Sequence, residues 1–200
     1  TPHDSPLHHI SVPRILLALV TFSFVVYLIP GMFGAPLKTL SGYLPPQNTH
    51  DFDLNYTIQV ATGNDNKTCG EPKHGDIFHL PHNLKGYFDY EQGMACAKEL
   101  GKPVFIDYTG HGCVNCREME ANVWSDPMVL KMLREDFVII ALYVDDKTHL
   151  PESEWYVSKY DGKKKKTIGA QNADRQICEF ENNAQPYYIT LNHSGELLHN

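Results

Sequence analysis

The run Pro103-Val104-Phe105-Ile106-Asp107-Tyr108, followed after four intervening residues by Cys113-Val114-Asn115-Cys116, decides how this chain is read. The first stretch has the apolar, β-branched character of a buried strand, and a helix-compatible stretch opens at the second cysteine, Cys116. Two thiols therefore stand where a chain leaves a strand and enters a helix. The unpaired N–H groups and positive dipole end of a helix start stabilise a thiolate, the reactive form of cysteine, so a dithiol/disulfide redox site is the leading expectation. The same spacing also supplies half of a zinc site, or a structural disulfide. A zinc site needs further ligands, and the nearest candidates, Cys69, His74, His79 and His82, lie in a polar stretch before the fold begins. Placement between strand and helix favours redox chemistry, with no metal and no cofactor expected.

Outward from the cysteines, the pattern from residue 85 to 200 is that of one α/β domain. Asp89 and Gln92 form a capping box for a helix carrying Tyr90, Met94 and Ala97 on one face, and Gly101-Lys102-Pro103 stops it. Beyond the cysteines, Asp126-Pro127 supplies an N-cap and a first-turn proline, with Val129, Leu130 and Leu133 facing inward. Phe137 to Val144 is apolar without alternation, as in a strand covered on both faces, so strand, helix and parallel strand make a βαβ unit. An irregular region from Asp145 to about Ile168 and a short helix around Ala173 to Phe180 follow, then Ala184-Gln185-Pro186 opens the next strand. The turn around Asn192-His193-Ser194-Gly195 leads into Leu197-Leu198, a strand barely begun with no closing helix after it, so a carboxy-terminal truncation is expected.

Towards the amino terminus, no charged residue falls between Arg14 and Lys38, and the interval is almost wholly apolar. About 20 helical residues span a ~30 Å hydrocarbon layer, so a transmembrane helix over about 14–34 is expected within residues 1–38. A cleaved signal peptide is disfavoured by the dozen residues before Arg14 and by the lack of a clean small-x-small site. Pro30, Gly31, Gly34 and Pro36 would loosen or end the helix near one interface. Residues 39–84 read as a connector, with Pro45-Pro46 and one short strand-like run, Tyr56 to Val60. The sequons at Asn55, Asn66 and Asn192 matter only in a eukaryotic secretory protein.

Seventeen basic against 24 acidic side chains give a net charge of −7, which argues against a nucleic-acid binder. The dense run Lys163 to Lys166 reads as a solvated loop. Five cysteines leave an odd remainder after the Cys-x-x-Cys pair, so at least one is free or pairs elsewhere. Cys96 and Cys178 read as buried small hydrophobes in helices, and Cys69 has no assignment.

Together these motifs resemble the thioredoxin-like fold, a central mixed sheet flanked by helices. A closer resemblance is to the carboxy-terminal domain of the membrane thiol:disulfide interchange protein family DsbD, in the branch found among Bacteroides-like bacteria. It is carried by Gly86-Tyr87-Phe88-Asp89-Tyr90, Phe105 to Gly110, Cys113-Val114-Asn115-Cys116-Arg117-Glu118-Met119-Glu120, Trp124 to Pro127, Tyr143-Val144-Asp145-Asp146 and Ala184-Gln185-Pro186. Val12-Pro13-Arg14 through Leu37-Lys38 is similar to that family's last membrane helix. Gly112 stands where thioredoxins proper have tryptophan, so the partner-facing surface is expected to differ.

Chemistry of the motif makes Cys113 the nucleophile and Cys116 the resolving thiol. Helix-start placement in such motifs lowers a thiol pKa from about 8.5 towards about 7. Asp107, an acid in an apolar strand, and Glu120, one helical turn beyond Cys116, are candidates to exchange a proton with Cys116, a role the resemblance supports. A satisfied structural carboxyl and an exposed helix-surface carboxylate are their respective alternatives. Pro186 resembles the cis-proline that faces the cysteines in this fold, which implies that a partner segment pairs along Gln185, with Gly112 at the rim. An ordinary trans edge proline is the alternative. Tyr108, Tyr187 and Tyr188 read as core or rim aromatics. The resemblance implies a protein-disulfide reductase in a bacterial inner membrane, facing the periplasm. Its partners would be oxidised periplasmic proteins or a partner redox domain, with electrons from the rest of its own membrane domain. An oxidase or isomerase, a metal-binding module and an inert docking domain are the competing readings.

Overall fold

The structure, a computed structural model, describes residues 10–33, 35, 37–40, 43 and 68–199. The strand-like run at 56–60, the sequons at Asn55 and Asn66, Pro45-Pro46, Gly34 and Pro36 lie outside the described residues. Helix α1 (Val12–Leu28) has a proline in its first turn, runs on through a 3₁₀ turn (Ile29–Phe33) and buries no residue of its own. Together these span Val12–Phe33, 22 residues whose most apolar 18-residue window has a mean hydropathy of 2.3, long and apolar enough to cross a membrane.

In the domain, α2 (Tyr90–Leu100), β1 (Val104–Thr109), α3 (Val114–Met119), α4 (Pro127–Glu135) and β2 (Val138–Tyr143) alternate along the chain. A two-stranded hairpin, β3 (Tyr156–Val157) with β4 (Lys164–Lys165), lies inside the stretch read as irregular and takes in part of the lysine run. Helix α5 (Ile168–Phe180) and strands β5 (Tyr187–Leu191) and β6 (Leu197–His199) complete the fold. The sheet order is β2-β1-β5-β6. β1 pairs parallel with β2 and antiparallel with β5, from Val104↔Val138 and Val104↔Leu191 onward, so the sheet is mixed. Tyr87 bridges to Ile140 on the far side of β2 and satisfies backbone groups that an edge strand would leave open.

Alternation along β1 and β2 feeds two cores. Val104, Ile106, Tyr108, Ile140 and Leu142 face α2 and its Cys96 and Ala97, while Phe105, Ile139, Ala141 and Tyr143 face Trp124 and Leu133 of α4. Phe78, Leu80 and Leu84, from the stretch read as the end of the connector, are buried in the second core.

Local chemistry shifts several boundaries from those expected. Asp89 accepts from the Gln92 N–H, but the Gln92 side chain binds Glu71 and Lys73 instead of returning to the cap, so only half of the capping box forms. Gly101 ends α2 with φ 64°, a left-handed conformation that glycine adopts without strain. Thr167 caps α5 and starts it at Ile168, five residues before the expected Ala173.

Two cysteine readings are corrected. Cys96 is buried but is one half of a disulfide to Cys69, across 27 residues of sequence. Cys178 is free and exposed, because it lies on the outer face of α5.

Candidate active site

Loop 110–113 carries the chain from the end of β1 to α3. The helix opens two residues earlier than expected: Cys113 itself is the N-cap, and its Sγ accepts the Cys116 N–H at 3.1 Å. A side-chain acceptor at this position does the work that Ser or Asp does at other helix starts. The two sulfurs are joined in a disulfide with Cα atoms 5.2 Å apart. Cys113 is partly exposed, whereas Cys116 is buried at 1 % exposure. That asymmetry leaves one sulfur open to attack by or on a partner and shelters the other.

A groove of ≈ 460 Å³ runs beside Cys113, lined by Gly112, Val114, Asn115, Asp145 and Gln185 among others. Gln185 joins Pro186 through a cis peptide bond. Gly112 and Gln185, both expected at the partner-facing surface, thus share the groove with the exposed cysteine, and Pro186 follows at the entry to β5.

Both expected acids are buried, Asp107 at 2 % and Glu120 at 8 % exposure. Glu120 is therefore not the exposed surface carboxylate. It lies in the π-helical turn Glu120–Trp124 that continues α3, and its Oε2 is 2.8 Å from Arg117 Nη1. The same guanidinium donates to Thr109 Oγ1 at 3.2 Å and to the Gly110 carbonyl at 3.5 Å, so it ties α3 to the end of β1. Burial pushes the Glu120 carboxyl up to about 7, opposed by the Arg117 charge. Asp107 is raised well above the usual carboxylate range, first by burial and then by the Glu120 charge, with Arg117 opposing. Asp107 Oδ1 has no hydrogen-bond partner. Two acids and one base thus share a buried, electrostatically coupled site, an arrangement typical of groups that exchange protons.

Sequence reasoning missed the residues that fix the loop. Asp145, at the exit from β2, accepts the His111 N–H at 2.9 Å and the Gly112 N–H at 3.0 Å. Gly110 permits the approach, since a Cβ there would lie 2.9 Å from Asp145 Oδ2. His111 Nε2 sits 3.1 Å from Asp146 Oδ2, and its ring packs on Tyr143 and Phe78. Arg117 lies in the motif that carries the resemblance, next to Cys116 and three residues from Glu120, but the sequence alone assigns it no role. Asp145 was not legible, because 33 residues separate it from Gly112. Tyr108 is fully buried, and Tyr187 and Tyr188 are partly buried, in keeping with packing roles. Among the described residues, no three His, Cys, Asp or Glu side chains come together to hold a metal ion.

A family model described as thioredoxin-like matches residues 84–192, more than half of the chain. The chain belongs to the thioredoxin-like family. The thioredoxin-like domain has likenesses among solved structures as well. A "DsbH Oxidoreductase" is 14 % identical, with a TM-score of 0.44, over 70 % of this chain and 83 % of that one. A thioredoxin from Thermus thermophilus is 22 % identical, with a TM-score of 0.36, over 53 % of this chain and 63 % of that one. No curated protein matches the sequence.

Proposed function

We propose that this chain is a membrane-anchored thiol:disulfide oxidoreductase that reduces protein disulfides in the periplasm of a bacterium, in the manner of the DsbD carboxy-terminal domain whose motifs it shares. One observation carries the reading: a half-exposed cysteine caps a helix, is bonded to a buried second cysteine, and opens on a groove shared with Gln185. In the reduced form, the Cys113 thiolate attacks a partner sulfur. The new S–S bond forms as the partner's disulfide breaks, and the leaving thiolate takes a proton. Cys116 then gives up its proton and attacks Cys113 Sγ. The partner leaves as a dithiol, and two electrons and two protons have passed to it. Asp107, raised well above the usual carboxylate range, and Glu120, raised to about 7, are suited to accept and return the Cys116 proton. The rest of a membrane domain would restore the dithiol.

Trapping tests this. Cys116→Ala is expected to accumulate mixed disulfides through Cys113 when mixed with periplasmic extract. A folded variant that captures nothing would defeat the exchange mechanism. Direction is read from the reduction potential, where about 30 mV corresponds to about 1.4 kcal/mol; a value near that of strong oxidants reverses the flow.

A further inference from the structure

Among the described residues, Asp145 is the one formally charged side chain lining the groove beside Cys113. Its two oxygens accept the His111 and Gly112 N–H groups, so the carboxylate is held in place at the mouth of the site. No Lys or Arg among the described residues lines the groove with it. Arg117 is turned inward on Glu120 with its side chain 11 % exposed, His111 faces Asp146, and the exposed Lys147 does not line the groove. The polar groups that remain, Asn115 and Gln185, are neutral.

Resting on the exchange reading above, we propose that Asp145 is a specificity-determining residue: it favours partner disulfides flanked by a Lys or Arg side chain over those flanked by Asp or Glu. A fixed charge near the point of attack changes encounter and docking rates through its Coulomb interaction with the partner, and a like charge is penalised as much as an opposite one is favoured. The redox step is unaltered; two electrons still pass from the Cys113/Cys116 dithiol to the partner's disulfide.

The full chain carrying Cys178→Ser, which removes the exposed free thiol, is reduced with dithiothreitol in neutral detergent, freed of it, and mixed with two cyclic disulfide peptides that differ only in flanking Arg or Glu. Neutral 2,2′-dithiodipyridine is the reference. At low salt the Arg peptide is expected to react about 3- to 10-fold faster than the Glu peptide. The ratio should fall towards one in roughly 0.5 M salt and in Asp145→Asn. Any change in Cys113 acidity affects both peptides alike and cancels in the ratio. Asn115→Lys places a cation in the same groove and leaves the Asp145 hydrogen bonds intact, so it should level or invert the preference even if Asp145→Asn folds poorly. A preference produced only by the net charge of −7 would survive both substitutions. A ratio of one with Asp145 and Asn115 in place, or one unmoved by either substitution, overturns the proposal and leaves exchange standing. No reaction with the dipyridyl disulfide overturns both.

Discussion

At Asp107, a carboxyl in the middle of β1 has one oxygen without a partner, so its replacement relieves a desolvation cost more than it removes a contact. Asp107→Ala is expected to stabilise the oxidised protein by about 1–3 kcal/mol in denaturant unfolding, and to slow the resolving step near neutral pH. A lowered unfolding midpoint would show instead that the carboxyl is a structural asset. Glu120 has a pH signature. Its folded value of about 7 exceeds the ordinary 4.5, so the native state binds the proton more tightly than the unfolded chain. The associated stability is fully present below pH 4.5 and is lost as pH rises through about 7, on the order of 3 kcal/mol in all. Glu120→Gln should flatten that part of the profile, followed by fluorescence of the neighbouring Trp124; an unchanged slope between pH 5 and 7 would exclude the assignment. Both acids were legible from position alone, an acid in an apolar strand and an acid one turn past a cysteine. Their burial was not, because it depends on how distant elements pack: Trp124, Phe105 and Tyr188 meet from three separate elements.

Among the elements, α2 is held twice: by packing on the sheet and by the disulfide from Cys96 to Cys69. Closing a loop of 27 residues restricts the unfolded chain by about 3–4 kcal/mol in the loop-entropy account. Replacing both Cys69 and Cys96 by Ser is expected to lower stability by roughly that amount while leaving Cys113–Cys116 exchange intact, measured by denaturant midpoint and by reaction with a neutral disulfide. A loss of exchange alone, without loss of stability, would give the second disulfide a redox role. Pairing was not legible: Cys69 stood in a polar loop, and an odd count of cysteines names no partners. Helix α3 shows a subtler limit. Its start at Cys113 is set by a sulfur accepting an N–H, a cap that propensity scales do not anticipate. Similarly, the Gln92 side chain left its capping box because the loop at 71–73 offered nearer partners.

For the whole molecule, an apolar helix of membrane-spanning length precedes a domain with its own two cores. As a membrane anchor, α1 should keep the chain in the membrane fraction through alkaline carbonate extraction, and removal of residues 1–38 should release it. Recovery of the intact chain in the soluble fraction would contradict the anchor. The amino-acid order alone determined what depends on near neighbours: the apolar helix, the alternation of strands and helices, the Cys-x-x-Cys at a strand-to-helix junction, and the acids worth examining. These follow from periodicity, capping and the cost of placing charge among apolar residues, all of which act over a few positions. Tertiary structure alone decided which distant groups meet. It joined Cys69 to Cys96, set Asp145 on the amides of loop 110–113 and folded Arg117 between Glu120 and Thr109, because contacts across a sheet are fixed by register and packing, not by spacing along the chain.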